Sequence, residues 1–217
     1  MIQRIDFAPL DGITRAVYRR VWHKYFGGAD RYFIPFFSPT DQHILTNRDR
    51  REVGPENNAG LPAVPQVMTC RAEDFLWAAE LVADMGYSEV NLNLGCPSGT
   101  VTAKGKGAGF LAKPAELDRF FDQVFSRVTL PVSVKTRLGI ADPAEFQPLM
   151  DIYDRTPSPA SPSIPGYKRR NTGGRCTWRN LPRHWHGAGT PSATTATCGP
   201  WRRSGPWRPA SRRWRLS

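Results

Sequence analysis

The sequence predicts an α/β fold of parallel strands. The leading architecture is the N-terminal part of a (β/α)8 TIM barrel, about five of eight strands, with an open doubly wound sheet second. Three observations carry this. Short apolar runs alternate with amphipathic stretches through residues 1–154. The spacing between runs suits intervening helices rather than hairpin turns. Unusual residues cluster just after the runs, where parallel α/β folds keep their chemistry.

The strands are expected at Ile5–Ala8, Arg31–Phe36, Ala63–Met68, Glu89–Leu92 and Val132–Thr136. Helices are expected at Arg15–Tyr25, Asp74–Met85, Ala115–Ser126 and Glu145–Tyr153. In the second helix Phe75, Ala78, Ala79 and Val82 recur at helical spacing, and Gly86 follows as a C-terminal cap. Pro114 stands where a first-turn proline is tolerated. Strands joined by helices of this length build a parallel sheet buried on both faces.

The chain has 217 residues and a formal charge of +11, but the charge is unevenly placed. Residues 1–154 hold 17 basic and 19 acidic side chains, a net of −2, while residues 155–217 hold 13 basic and no acidic ones. No run of about 18 apolar residues is present, so no membrane-spanning helix is expected. The start Met1-Ile2-Gln3-Arg4-Ile5-Asp6 lacks a signal-peptide core, which makes the cytoplasm the expected location. Cys70, Cys96, Cys176 and Cys198 form no C-x-x-C pair, so reduced thiols and no structural zinc are expected.

At the strand ends, each residue has a chemical reading and a packing one. Asn93 and Cys96 leave a strand through Gly95 and Pro97, which puts a thiol on a rigid turn; it is either an acid or nucleophile, or inert packing. Lys135 can stabilise negative charge on a ring or snorkel from the strand end. Arg137 offers a planar fork to a phosphate or a base edge. Gln66 can donate and accept at once, or merely satisfy a turn. Lys104-Gly105-Lys106-Gly107-Ala108-Gly109 matches no phosphate-loop pattern and reads as a flexible basic loop beside the site. His23 and His43 are isolated and read as surface or satisfied histidines. Arg19-Arg20 and Arg48-Asp49-Arg50-Arg51-Glu52 read as solvated faces.

Ala8-Pro9-Leu10-Asp11-Gly12-Ile13-Thr14, Val64-Pro65-Gln66, Asn91-Leu92-Asn93-Leu94-Gly95-Cys96-Pro97-Ser98 and Val134-Lys135-Thr136-Arg137-Leu138-Gly139 occur in that order. Together they resemble the tRNA-dihydrouridine synthase family over roughly residues 2–154. The resemblance implies an FMN-dependent barrel that reduces the C5–C6 bond of tRNA uridines, with NADPH as electron donor. It implies that Pro9, Leu10, Asp11, Gln66 and Lys135 hold FMN, and that Cys96 is the catalytic acid giving a proton to C5. Asn93 and Arg137 would hold the target uridine, which must be flipped out of the folded tRNA to reach them. Two other readings stay open: an FMN barrel acting on free pyrimidines, and a non-enzymatic RNA-binding protein using the basic tail. No metal is expected, and the oligomeric state is not legible.

Residues 155–217 break the pattern. Ile, Leu and Val number three, Phe is absent, and Pro, Gly, Ser and Thr make up 30 of the 63 residues, a composition expected to be disordered. A reading frame shifted at codon 155 accounts for the break. Codons can be chosen for Thr156–Arg170 that, regrouped with one preceding nucleotide, spell YPLARLTIHPRVQKE, a consistency check that contains the H-x-R signature of the resembled family. Codons can likewise be chosen for Pro191–Gly199 that regroup in the same frame to PVCYNGDLW, with the N-G-D of its flavin-phosphate strand. The expectation is an incomplete FMN-binding domain, 1–154, followed by an out-of-frame tail, in a chain that neither holds FMN tightly nor acts on tRNA.

Overall fold

A computed structural model of the chain describes residues 5–155; the expectations for the tail beyond them lie outside the described residues. The elements run β1 (Asp6–Phe7), α1 (Ala16–Tyr25), β2 (Arg31–Phe33), α2 (Asn47–Val53), α3 (Pro55–Asn58), β3 (Ala63–Val64) and β4 (Gln66–Val67). There follow α4 (Ala72–Asp84), β5 (Val90–Asn93), α5 (Gly99–Thr102), a 3₁₀ stretch (Gly107–Ala112), α6 (Pro114–Phe125), β6 (Val132–Lys135), a 3₁₀ turn (Pro143–Glu145) and α7 (Phe146–Arg155).

All strand pairs are parallel, in the orders β1-β2-β3 and β4-β5-β6. The expected strand Ala63–Met68 is divided at Pro65, which has no N–H to give the ladder. Pairing continues across the division. Phe37 N–H donates to the Gln66 carbonyl at 3.0 Å, Met68 N–H to the Phe37 carbonyl at 2.9 Å, and Asn91 N–H to the Pro65 carbonyl at 2.9 Å. The five strands expected from the sequence thus lie side by side in chain order, and their C-terminal ends share one edge.

Alternation along β5 and β6 separates two faces. Val90, Leu92, Val132 and Val134 turn toward the helices and join Phe75, Ala78, Ala79 and Val82 of α4, Leu117, Phe120, Phe121 and Val124 of α6, and Leu149, Ile152 and Tyr153 of α7 in one apolar core. Asn91, Asn93 and Ser133 are equally buried on the opposite face. Gly86 ends α4 with φ +88°, a conformation that favours glycine. Pro114 occupies the first turn of α6.

The two expected solvated faces are mostly exposed, but each turns one residue inward. Arg19 is fully buried and Glu52 nearly so, while Arg20, Arg48, Arg50 and Arg51 are exposed. Arg19 donates to the carbonyls of Thr14 (2.7 Å) and Glu52 (3.1 Å), to the Glu52 carboxylate (3.1 Å) and to Asn58 Oδ1 (2.8 Å), which offsets the cost of burying its charge. Helix α1 accordingly turns an arginine inward and leaves Val17, Val21 and Tyr25 on the surface. The Lys104–Gly109 segment follows α5 closely and enters the 3₁₀ stretch at Gly107, and Gly107 and Ala108 are buried.

His23 Nδ1 lies 3.2 Å from the Tyr32 hydroxyl, and His43 Nε2 lies 3.2 Å from Asp74 while its ring stacks on Trp77. Among the described residues no helix is long and apolar enough to cross a membrane, and no group of three or more His, Cys, Asp or Glu is arranged to hold a metal ion.

Candidate active site

Asn93 is the last residue of β5, and its side chain shapes the turn that follows. Its Oδ1 accepts from Gly95 N–H at 3.1 Å and from Cys96 N–H at 3.0 Å, folding the chain back over the strand end. Leu94 N–H donates to the Lys135 carbonyl at 2.8 Å, which ties the start of this turn to the end of β6. The Cys96 carbonyl in turn accepts from Ala108 N–H at 3.0 Å. The half-buried Cys96 is therefore held through both backbone polar groups.

Glycine is required where the 3₁₀ stretch meets this turn. A Cβ on Gly107, whose φ is +56°, would stand 2.9 Å from the Cys96 carbonyl oxygen and 3.1 Å from its Cβ. Of the three glycines in the expected basic loop, Gly107 thus serves close packing against the thiol-bearing turn, while Gly109 packs on Thr102 and Gly105 meets nothing within 4 Å.

Gln66 on β4 lies beside Asn93 on the face opposite the helices. Its Oε1 accepts from Asn93 Nδ2 at 2.8 Å and its Nε2 donates to Asn91 Oδ1 at 2.7 Å. It donates and accepts at once, as the sequence suggested, and both bonds are made inside the protein. One N–H remains on each of Gln66 and Asn93 after these bonds.

Lys135 pairs in register with Asn93 across β5 and β6. Among the described residues its ammonium has neither a hydrogen bond nor an ion pair. Burial lowers its pKa, and the nearby Arg137 charge adds to that shift. Arg137 is buried as well, and its Cγ lies within 3.5 Å of where a Cβ on Gly95 would stand. Between them Thr136 Oγ1 meets the Tyr153 hydroxyl at 2.9 Å, anchoring this strand end to α7. Gln66, Asn93, Cys96, Lys135 and Arg137 thus converge at one edge.

Pro9, Leu10 and Asp11 are the other residues expected to hold the cofactor. They follow β1 at the same edge of the strands, but among the described residues no hydrogen bond or ion pair ties them to Cys96. Leu10 and Asp11 are exposed, and Asp11 pairs with Arg48 of α2. The loop is closed internally by Thr14, whose Oγ1 accepts from Leu10 N–H at 2.8 Å.

The dihydrouridine synthase (Dus) family model matches residues 6–155. The chain belongs to the dihydrouridine synthase family. It is 33% identical over 139 residues to the probable tRNA-dihydrouridine synthase 1 of Synechocystis sp., an overlap covering 64% of this chain and 38% of that relative. It is 31% identical over 136 residues to tRNA-dihydrouridine synthase B of Pasteurella multocida, covering 63% and 40% of the two chains. To the tRNA-dihydrouridine(20/20a) synthase of Vibrio vulnificus it is 38% identical over 90 residues, covering 42% and 28%. The aligned part spans about two fifths of the length of the first two relatives. The matched span includes every strand end that forms the Cys96 cluster.

Sequence reasoning missed the residues beneath that cluster. Asn91, Ser133 and Glu89 support Gln66 and Asn93 from below. Their signal is the period-two placement of polar residues in otherwise apolar strands: Asn91 and Asn93 in one, Ser133 and Lys135 in the next.

Proposed function

We propose that residues 6–155 are the first part of the catalytic domain of a cytoplasmic tRNA-dihydrouridine synthase, folded as part of a (β/α)8 barrel. The activity is FMN-dependent reduction of the C5–C6 double bond of tRNA uridine, with NADPH as electron donor. The observation that carries this reading is the convergence of Cys96, Asn93, Gln66, Lys135 and Arg137 at one strand edge in a member of this family. The names of the relatives, all tRNA-dihydrouridine synthases, favour tRNA over a free pyrimidine.

The donor set fits a flavin. Lys135 brings a desolvated ammonium to the site, with no partner among the described residues, and an electron-rich ring stabilises its charged form. Gln66 keeps an N–H for a ring carbonyl, and Pro9, Leu10 and Asp11 would close over the same edge from the first loop. Bound FMN supplies the hydride chemistry.

The protein's own groups position and protonate. Cys96 holds the proton destined for C5 on a thiol whose backbone is fixed at both ends. Asn93 has one N–H left for a uracil carbonyl, and Arg137 offers its fork to the same base or its phosphate. The boundary at residue 154 is supported by the family match ending at residue 155, where the acidic residues also stop.

The test is dihydrouridine itself, measured by mass spectrometry of nucleosides from tRNA of a host lacking these enzymes. The 217-residue chain is expected to purify without stoichiometric flavin and to form no dihydrouridine. A gene with its frame restored at codon 155 is expected to gain both, and Cys96→Ala in that background to keep flavin and lose the product. Product formation indifferent to Cys96→Ala overturns the assignment, and a yellow, stoichiometric 217-residue protein overturns the expectation for this chain.

A further inference from the structure

A row of hydrogen bonds crosses the sheet face from the Cys96 turn to the opposite end of the strands. Asn93 Nδ2 donates to Gln66 Oε1 (2.8 Å), Gln66 Nε2 to Asn91 Oδ1 (2.7 Å), and Asn91 Nδ2 to Ser133 Oγ (2.8 Å). Ser133 Oγ then donates to the Glu89 carboxylate. Both Glu89 oxygens also accept from Arg31 at 2.7 Å, and Arg31 is gripped from its other side by Asp6 through bonds of 2.9 and 2.7 Å.

Every donor in this row points the same way. An Asn or Gln amide can be turned end for end, and a hydroxyl can donate or accept, so Gln66, Asn91 and Ser133 do not fix their own direction; Asn93 is directed at one end of the row by the Gly95 and Cys96 N–H groups, and the far end must agree with it. A carboxylate paired with arginine can only accept. Glu89 therefore makes Ser133 donate, which makes Asn91 present its NH2 to Ser133 and its oxygen to Gln66. That leaves the Gln66 oxygen for Asn93 Nδ2, and the Asn93 oxygen for the N–H groups of Gly95 and Cys96. Reversing the row would aim the Asn93 NH2 at those two N–H donors and lose both bonds.

We infer that Glu89 is a positioning residue for Cys96. It acts from the other end of β5, about 13 Å from Asn93 at the usual rise per residue, by holding the row in the one direction that lets Asn93 keep its NH2 on Gln66 while its oxygen faces the Gly95 and Cys96 N–H groups. Gln66, Asn91 and Ser133 carry the setting between them and are almost wholly buried, so water does not offer them substitute partners. The inference builds on the proposed site but concerns only the geometry of the Cys96 turn, so it can be tested without flavin or tRNA.

The experiment follows iodoacetamide alkylation of the 217-residue chain by peptide mass spectrometry, with Cys70 of the same molecule as reference. Glu89→Gln keeps shape and removes the acceptor-only anchor; Ser133→Ala cuts the row; Ser133→Thr retains the hydroxyl. Glu89→Gln and Ser133→Ala are each expected to speed Cys96 alkylation by about threefold or more, with Cys70 unchanged, because the row no longer holds Asn93 firmly against the turn. Ser133→Thr is expected to stay within about twofold of the parent. The double variant should react no faster than the faster single one, since two cuts in one row are not additive.

Equal acceleration of Cys70 would mark general loosening and overturn the inference. So would unchanged Cys96 in both single variants, or effects that multiply in the double. Should Glu89→Gln not fold, the contrast between Ser133→Ala and Ser133→Thr decides alone. Failure to detect dihydrouridine synthesis would leave these rates untouched, so the two readings fail separately.

Discussion

The Arg19 guanidinium, fully buried on α1, lies 3.1 Å from the Glu52 carboxylate of α2. The same carboxylate accepts from Ala16 N–H at 3.0 Å, so one acidic side chain caps the first turn of α1 and neutralises a charge inside it. Burial lowers the Arg19 pKa while the hydrogen bond and charge of Glu52 oppose the shift.

Arg19→Met leaves Glu52 buried without its cation and removes a donor from Thr14 at the end of the first loop. The expected loss is about 3–5 kcal/mol, the usual penalty for stranding one half of a buried pair. Urea denaturation followed by circular dichroism measures it, and Arg20→Met on the exposed side of the helix should change stability by less than about 0.5 kcal/mol.

Gly107→Ala is expected to cost about 1–3 kcal/mol, from a strained positive φ and a Cβ forced onto the Cys96 carbonyl. Gly105→Ala shares the positive φ but meets nothing within 4 Å, so it isolates the backbone part of the penalty. Comparing the two denaturation midpoints separates strain from collision.

Phe120→Ala removes a ring that meets Phe75, Phe110 and Phe121 at centroid distances of 5.9, 5.4 and 5.6 Å. A loss of about 3–5 kcal/mol is expected for this core cavity. Because Phe110 lies in the 3₁₀ stretch whose Ala108 holds Cys96, the variant should also raise Cys96 alkylation, whereas a cavity remote from that stretch should not.

Lys135 sets a pH dependence with a definite sign. Its folded pKa lies below the ordinary 10.5, so between the two values the unfolded chain binds more protons and stability rises with pH. Lys135→Met should therefore be more stable than the parent at pH 7, with the gap narrowing as pH climbs toward the ordinary lysine range. Urea midpoints of both proteins from pH 7 to about 10.5 test this, and a gap that widens would contradict it.

Much of this was written in the sequence. The strand-end motifs were legible because each follows an apolar run, and parallel pairing brings such ends to one edge whatever the loop lengths. Expected Arg31–Phe36 shortens to Arg31–Phe33 because Pro35 interrupts the ladder, which resumes at Phe37. Arg19 and Glu52 were not legible: 33 residues separate them, and each sits in a charged run that reads as solvated. Helices α2 and α3 were missed for the same reason, their polar surfaces giving no apolar period. Glu89 and Ser133 escaped because their meaning depends on the direction of bonds, which residue types alone do not reveal.

The alternation of apolar and amide residues along β5 and β6 also bears on how the strands find one another. Sliding β5 by two residues against β6 keeps valines and leucines toward the helices, so burial alone scarcely penalises the shift. It would, however, carry Asn91 away from Ser133 and set it opposite Lys135, or bring Asn93 opposite Ser133, and either offset breaks the row that ends on Glu89. The apolar face decides which side of each strand is inward, and the amide face decides which of the permitted alignments is kept.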